Sequence, residues 1–251
     1  MSMRVFVCLG NVPDTTTKVK FTENNSVFDN TGIQWIINPW DELALTRAME
    51  LKEDTGSSVG KVTVITVGTK SAEPTIRKAL AIGADNAIRI DSEPTDAYDV
   101  AAKLAGVLKD EDIGFVMCGI ESCDYNGFAV GGMLSEFLNL PSVSSVSGIE
   151  VKGEKVSVSR TIDGGKEIIS IDTPFVAIVQ KGISIEPRIP AMRGIMMARK
   201  KPLNVVEVSD SEVLTSHKSF ELPQPKPPCK MVDSENVKEL FDLLQNEARV
   251  I

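Results

Sequence analysis

Short apolar runs alternate with amphipathic stretches along most of this 251-residue chain. Residues 4–9, 61–67, 86–90, 113–118 and 175–179 are dominated by Val, Ile, Leu, Phe and Cys, the pattern of strands covered on both faces. Between them the apolar positions take helical spacing. In residues 38–53, Asn38 can cap a helix, Pro39 fits its first position, and Asp41 and Glu42 suit its positive end. Leu43, Ala44, Ala48, Met49 and Leu51 supply the buried face of that helix. A second helix is predicted from a Ser71 cap to Ile82, ended by Gly83-Ala84-Asp85, and a third over residues 97–108. Repeated strand–helix units of this kind imply an α/β fold with a mostly parallel, doubly wound sheet.

Two regions break the alternation. Residues 18–28 read as a small hairpin around Glu23-Asn24-Asn25-Ser26. Residues 147–172 alternate apolar and polar positions around the turns Lys152-Gly153-Glu154 and Asp163-Gly164-Gly165, which predicts a small antiparallel addition. Beyond Ile183 the chain is rich in Pro and Met and carries Arg188, Arg193, Arg199, Lys200 and Lys201. The tail then becomes extended, with Pro223, Pro225, Pro227 and Pro228 too closely spaced for regular structure. A last amphipathic helix over residues 234–247 places Val237, Leu240, Phe241 and Leu244 on one face. The expected organisation is a nucleotide-binding α/β domain over residues 1–207 and an extended, partner-contacting arm over residues 208–251.

The chemically suggestive stretch is GIESCDYNGFAVGG, residues 119–132. It follows the apolar run at 113–118 and leads into Val130, Met133, Leu134 and Phe137, spaced for one helix face. A glycine-punctuated loop between strand and helix offers unpaired backbone N–H groups at a helix N-terminus, where a phosphate is favoured. Ligands in open α/β sheets also lie at the carboxyl ends of strands. A turn that only satisfies local geometry has the same composition, so this pattern alone leaves both readings open.

The net charge of −8 argues against general nucleic-acid binding, which depends on Lys and Arg. No apolar stretch reaches membrane-spanning length, and the first residues read as a strand rather than a signal peptide, so a cytoplasmic location is expected. Cys8, Cys118, Cys123 and Cys229 lack metal-finger spacing and fit reduced thiols. The sole histidine, His217, lies in the tail and reads as an exposed loop residue, so neither a histidine metal cluster nor a Ser-His-Asp site is available near the sheet. Asp124 reads as an acceptor that orders its own loop. The residues are suited to holding a nucleotide and a partner rather than to acid–base catalysis.

Five segments, in collinear order, carry a family resemblance: RVFVCLGNVPD, NPWDELALTRAMELKE, TIRKALAIGAD, RTIDGGKE and EPRIPAMRGIMMARKKPL. Together they resemble the β subunit of the electron transfer flavoproteins over nearly the whole chain. The resemblance implies an electron carrier component, not a free-standing enzyme, that pairs with an α subunit holding the redox-active FAD. It implies AMP, or a second FAD, in this chain. Carried over by position, the cofactor site comprises Cys8, then Asn38, Pro39, Trp40 and Asp41, then Val67. The loop completes it: Gly119, Ile120, Glu121, Ser122, Cys123, Asp124, Tyr125, Asn126, Gly127, Phe128, Ala129 and Val130.

The loop containing Met192, with Arg193, Ile195 and Met196, resembles the family's recognition loop, which docks on flavin dehydrogenases. Met192 stands at the anchor position, usually leucine, and methionine fills such a pocket flexibly. At Phe128-Ala129-Val130 the family more often has polar residues that hydrogen-bond phosphates, so here backbone N–H groups would carry that task. Without the resemblance, the same residues also suit a stand-alone adenine-nucleotide sensor or nucleotide-activating module, or an interaction protein whose nucleotide site has decayed.

Overall fold

The computed structural model describes every residue except Met1, Glu154, Asp210 and Pro227. One nine-stranded sheet dominates it. In chain order its strands and flanking elements begin with β1 (Met3–Cys8), β2 (Asn11–Pro13), a hairpin of β3 (Phe21–Thr22) and β4 (Val27–Phe28), β5 (Trp35–Ile37) and helix α1 (Pro39–Glu53). They continue with β6 (Val59–Val67), α2 (Glu73–Ile82), β7 (Asn86–Ile90), α3 (Ala97–Leu108), β8 (Phe115–Gly119) and α4 (Val130–Leu138). After these come β9 (Ser142–Lys152), β10 (Lys155–Ile162), β11 (Gly165–Ile171), β12 (Phe175–Val179), α5 (Met192–Ala198), β13 (Leu203–Val206) and α6 (Val237–Asp242).

The sheet order is β11-β10-β9-β12-β8-β1-β6-β7-β13. The chain steps outward from β1 through β6 to β7, then returns to β8 on the other side of β1. That reversal makes β1 and β8 the topological switch point, where the loops leaving adjacent strands diverge and open a crevice. All pairings from β9 through β13 are parallel, and only β9-β10 and β10-β11 are antiparallel.

Side-chain alternation along the central strands divides the core in two. Val5 and Val7 on β1 pack with Ala44 and Leu45 of α1 and Ile76 and Leu80 of α2 on one face. Phe6 and Cys8, pointing the other way, pack with Leu104 and Leu108 of α3 and Leu134 of α4. Both faces of β1 are therefore covered, which is why its sequence reads as a continuous apolar run.

Some expectations hold and others need adjustment. The antiparallel addition is present as expected, and because β9 pairs in parallel with β12 it extends the same sheet. Its first turn includes Glu154, which lies outside the described residues, as does Pro227 of the tail. Ser71 does not cap α2; it sits in a 3-10 turn, Lys70–Ala72, and the helix proper starts at Glu73 with Pro74 in its first turn. The Met192 segment is a short helix, not a loop. Strand β13 has no counterpart in the sequence reading, because four residues carry too little periodicity to register.

The tail has a definite path among the described residues. Asp96 caps α3 by accepting from the Asp99 N–H at 2.8 Å, and its other oxygen accepts from the N–H groups of Leu214 and Thr215, both at 2.8 Å. Farther on, Phe220 stacks on Phe21 with ring centroids 4.9 Å apart and donates its N–H to the Asn25 carbonyl at 2.7 Å. The arm thus crosses from the start of α3 to the β3–β4 hairpin. Helix α6 and the π-helical turn after it, Leu243–Ala248, bury no residue. Of the apolar face expected there, Val237, Leu240 and Phe241 are exposed and Leu244 is half-buried.

Candidate functional site

The crevice at the switch point is organised by one carboxylate. Asp41, in the first turn of α1, is buried and reaches both strand ends: its Oδ2 accepts the Gly10 N–H at 2.8 Å and its Oδ1 accepts the Gly119 N–H at 2.7 Å. Asn38 stands at the N-cap position, yet its side chain does not cap α1. Its amide instead donates to Asp41 Oδ2 at 3.1 Å and to the Glu121 carbonyl at 2.8 Å, while its Oδ1 accepts the Cys123 N–H at 3.1 Å. Two side chains from one helix start therefore tie the β1 end, the β8 end and the first third of the 119–130 loop together.

Asp41 was expected to serve the helix dipole; its principal task is this clip. Desolvation by burial pushes its carboxyl up to about 6, and the three hydrogen bonds pull the other way without offsetting it. A carboxyl raised in the folded state favours folding while protonated. Stability from this group is fully present below the unfolded value near 3.8 and is lost as pH rises through about 6. The expected result is that Asp41→Asn removes a falling component from the stability–pH curve between those values. Chemical denaturation at half-unit pH steps measures it, and identical slopes in both proteins would refute the assignment.

Gly119 lies where no side chain fits. A Cβ there would fall 2.5 Å from Asp41 Oδ1 and 2.6 Å from Trp40 Cβ. The rest of the loop turns outward. Asp124 Oδ1 accepts the Tyr125 N–H at 2.9 Å, the local ordering role expected of it, and the Asn126 amide reaches Glu121 at 3.1 Å. Tyr125 and Phe128 are exposed, and Asn126 and Phe128 hold positive φ, 50° and 51°. For a bulky residue that backbone is strained, and such strain gathers at ligand loops and switches.

Helix α4 then begins at Val130 with Ala129 as N-cap and no side chain capping its first turn. At Gly127 and Gly132 an added Cβ would meet nothing within 4 Å, whereas at Gly131 it would lie 2.7 Å from Ile178 and 2.8 Å from Cys118 Sγ. The helix start is therefore seated hard on the sheet and open on its outer side. An open start with uncapped N–H donors is the kind of place that suits an anionic group, and Phe128, Ala129 and Val130 offer no polar side chain there.

Cys8 and Val67 lie at strand ends bordering the crevice, both buried. Burial raises the thiols of Cys8 and Cys118 far from thiolate character, which supports packing rather than chemistry for both. Pro39 and Trp40 are half-buried in the first turn of α1. Cys8, the start of α1, Val67 and the loop after β8 are thus placed along the carboxyl edge of the parallel strands. Gly10 was missed by sequence reasoning although it supplies a hinge of the clip; the signal was the Gly-Asn-Val-Pro-Asp turn ending the first strand. His217 is exposed, as expected, but not isolated: its ring meets Tyr125 edge-on at 4.7 Å and Phe220 at 5.3 Å. The arm thereby touches the tip of the loop.

Met192, Arg193, Ile195 and Met196 are not at this crevice. They sit on α5, with Met192 77% and Met196 71% exposed, near the exposed Ile185 and Ile189. The exposed apolar side chains of this segment thus lie close together in sequence and apart from the crevice.

The comparisons decide the family. Residues 25–211 match the family described as the electron transfer flavoprotein domain. The chain is 34% identical over 264 residues to the electron transfer flavoprotein subunit beta of Bacillus subtilis (strain 168), spanning 99% of this chain and all of that one.

The chain belongs to the electron transfer flavoprotein β-subunit family.

It is also 31% identical over 252 residues to the Bradyrhizobium diazoefficiens electron transfer flavoprotein subunit beta, spanning 99% of this chain and 100% of that one. It shares 31% identity over 228 residues, 88% of this chain and 82% of the relative, with the acryloyl-CoA reductase electron transfer subunit gamma of Anaerotignum propionicum. As an electron transfer flavoprotein β subunit it is an electron carrier component rather than an enzyme, and the subunit designation implies a partner subunit. No described helix is long and apolar enough to cross a membrane.

Proposed function

We propose that this β subunit completes a heterodimer with an α subunit carrying the redox-active FAD, holds AMP at the switch-point crevice, and offers the Met192 face to flavin dehydrogenases. The observation that carries the nucleotide part is the Asp41 clip, which draws Gly10 and Gly119 together and aims the loop into the uncapped start of α4. In this reading Asn38 and Asp41 order the loop, and the N–H groups around Val130 receive the phosphate. FAD, when bound on the partner, supplies the redox chemistry, while this chain sets position and partner choice. The buried, unpaired Cys8 and Cys118 suit a reducing, cytoplasmic compartment.

Co-expression with a cognate α subunit, followed by quantitation of FAD and AMP released on denaturation, tests it. About one FAD and one AMP per heterodimer is expected, about two FAD would replace AMP by a second flavin, and a nucleotide-free complex would refute the crevice assignment. The Met192 face is tested separately. A substrate-reduced acyl-CoA dehydrogenase, as one flavin dehydrogenase, serves as the electron donor in that test. Met192→Asp is expected to lower the rate of electron acceptance from it about tenfold or more at limiting donor, with flavin content unchanged. An unaltered rate would remove Met192 from the docking surface.

A further inference from the structure

Helix α5 has only seven residues, too few to persist on propensity alone. What holds it is the last turn of α2. Gly194 faces that turn so closely that a Cβ would lie 2.4 Å from the Ala81 carbonyl oxygen, and Ala198, one helical turn on, is buried against the same side. The methionines are left on the outer side.

The two helix ends then cap each other. Arg77, on α2, donates through Nη1 to the Ala198 carbonyl at 2.9 Å and to the Lys201 carbonyl at 2.8 Å, satisfying acceptors at the end of α5. In return, Lys201 Nζ donates to the carbonyls of Leu80 at 2.9 Å, Gly83 at 3.1 Å and Ala84 at 2.6 Å, closing the end of α2. A cation at each helix C-terminus also opposes its negative dipole end. Arginine and lysine here are thus not free charges for a partner; they are spent on their own backbone.

The other end of α2 is tied to the crevice. Thr75 Oγ1 donates to Asn11 Oδ1 at 2.6 Å, next to Gly10, and Lys78 pairs with Glu42 of α1 at 2.8 Å. Helix α2 is therefore a strut whose start is referenced to the nucleotide crevice and whose end carries α5.

We propose that Arg77 and Lys201 are positioning residues for the docking face, locking α5 to α2 so that Met192 and Met196 are presented in one orientation. The proposal rests on the docking role given to Met192 above. A face held in advance spares a partner the entropy of ordering it, so loosening the lock should weaken encounter with the donor and leave the later transfer step alone.

The test uses the intact heterodimer, with a substrate-reduced acyl-CoA dehydrogenase as donor and dithionite as a small reductant that needs no docking. Arg77→Met and Lys201→Met are each expected to raise KM for the dehydrogenase about fivefold or more with kcat, FAD content and the dithionite rate unchanged. Amide exchange across residues 192–198 should quicken in both variants. Arg77→Lys should recover much of the loss, because both of Arg77's bonds come from one nitrogen. If Met192→Asp raises KM while Arg77→Met and Lys201→Met do not, the lock is overturned and the docking face stands. If Met192→Asp is also without effect, the docking reading fails and the proposal fails with it. A rise in KM accompanied by lost FAD, or undiminished protection of 192–198, would assign these residues to general stability and overturn the positioning role.

Discussion

Gly119→Ala is expected to destabilise this subunit by about 3 kcal/mol and, if the proposed nucleotide site is right, to lower the nucleotide content of its complex with the partner subunit. The added methyl group would lie 2.5 Å from Asp41 Oδ1 and 2.6 Å from Trp40 Cβ, far inside van der Waals contact. Neither atom can easily yield. Asp41 is held by Gly10, Asn38 and the Gly119 N–H itself, and Trp40 Cβ is fixed to the backbone of α1. Relief must come from moving β8 away from α1, which breaks the clip and leaves buried donors without acceptors, each costing about 1–3 kcal/mol. Nucleotide content by denaturing extraction and the thermal midpoint by calorimetry are the readouts. A variant retaining both would show that the clip does not shape the site.

Phe175→Ala is expected to have the largest effect on stability alone, about 3–5 kcal/mol, seen as a fall of about 10 °C in the melting midpoint. Phe175 on β12 lies opposite Phe115 on β8 in the parallel ladder, and their rings stack with centroids 5.2 Å apart and planes 16° from parallel. Both are fully buried. Removing one ring opens a cavity in a core that interdigitates from two adjacent strands, and the loss includes the ring–ring preference as well as the buried area. Ile168→Ala on the edge strand β11, where the side chain is 74% exposed, serves as the control and should shift stability by no more than about 0.5 kcal/mol. Equal effects at the two positions would contradict the placement of the core.

The electrostatic state of the crevice connects these outcomes to pH. Burial raises the Asp41 carboxyl, so at neutral pH the ionised clip is maintained at a cost that the three donors only partly offset. What the carboxylate provides in return is geometry, since its two oxygens join the ends of β1 and β8. The strained backbone at Phe128 belongs with it: a loop that stored no strain could have used glycine there.

Much of this architecture was legible in the chain. Continuous apolar runs identified β1, β6, β7, β8 and β12 because strands covered on both faces need apolar side chains in both directions. The third helix, the hairpin tip at Glu23-Asn24-Asn25, and the seat of the loop between β8 and α4 follow from equally local rules. Local rules also placed glycines and turn residues where strands end, which located the crevice.

What the sequence could not reveal depended on partners far away in the chain. Asn38 has the composition of a cap, and only the approach of residues 121–123 turns its amide away from α1 to the loop. Asp41 looks like a dipole residue until Gly10 and Gly119, 31 positions before it and 78 after it, converge on its two oxygens. The Met192 segment has too few residues to announce a helix, and it is held as one by Arg77, which donates to the Ala198 and Lys201 carbonyls, and by Lys201, which donates to the carbonyls at the end of α2. The path of the arm was likewise set by Asp96, Phe21 and Asn25, none of which is near it in sequence. Periodicity and turn chemistry are local and can be read along one dimension; burial of a charge, satisfaction of a backbone group and close approach at a glycine are long-range events, decided only when the sheet brings its strand ends together.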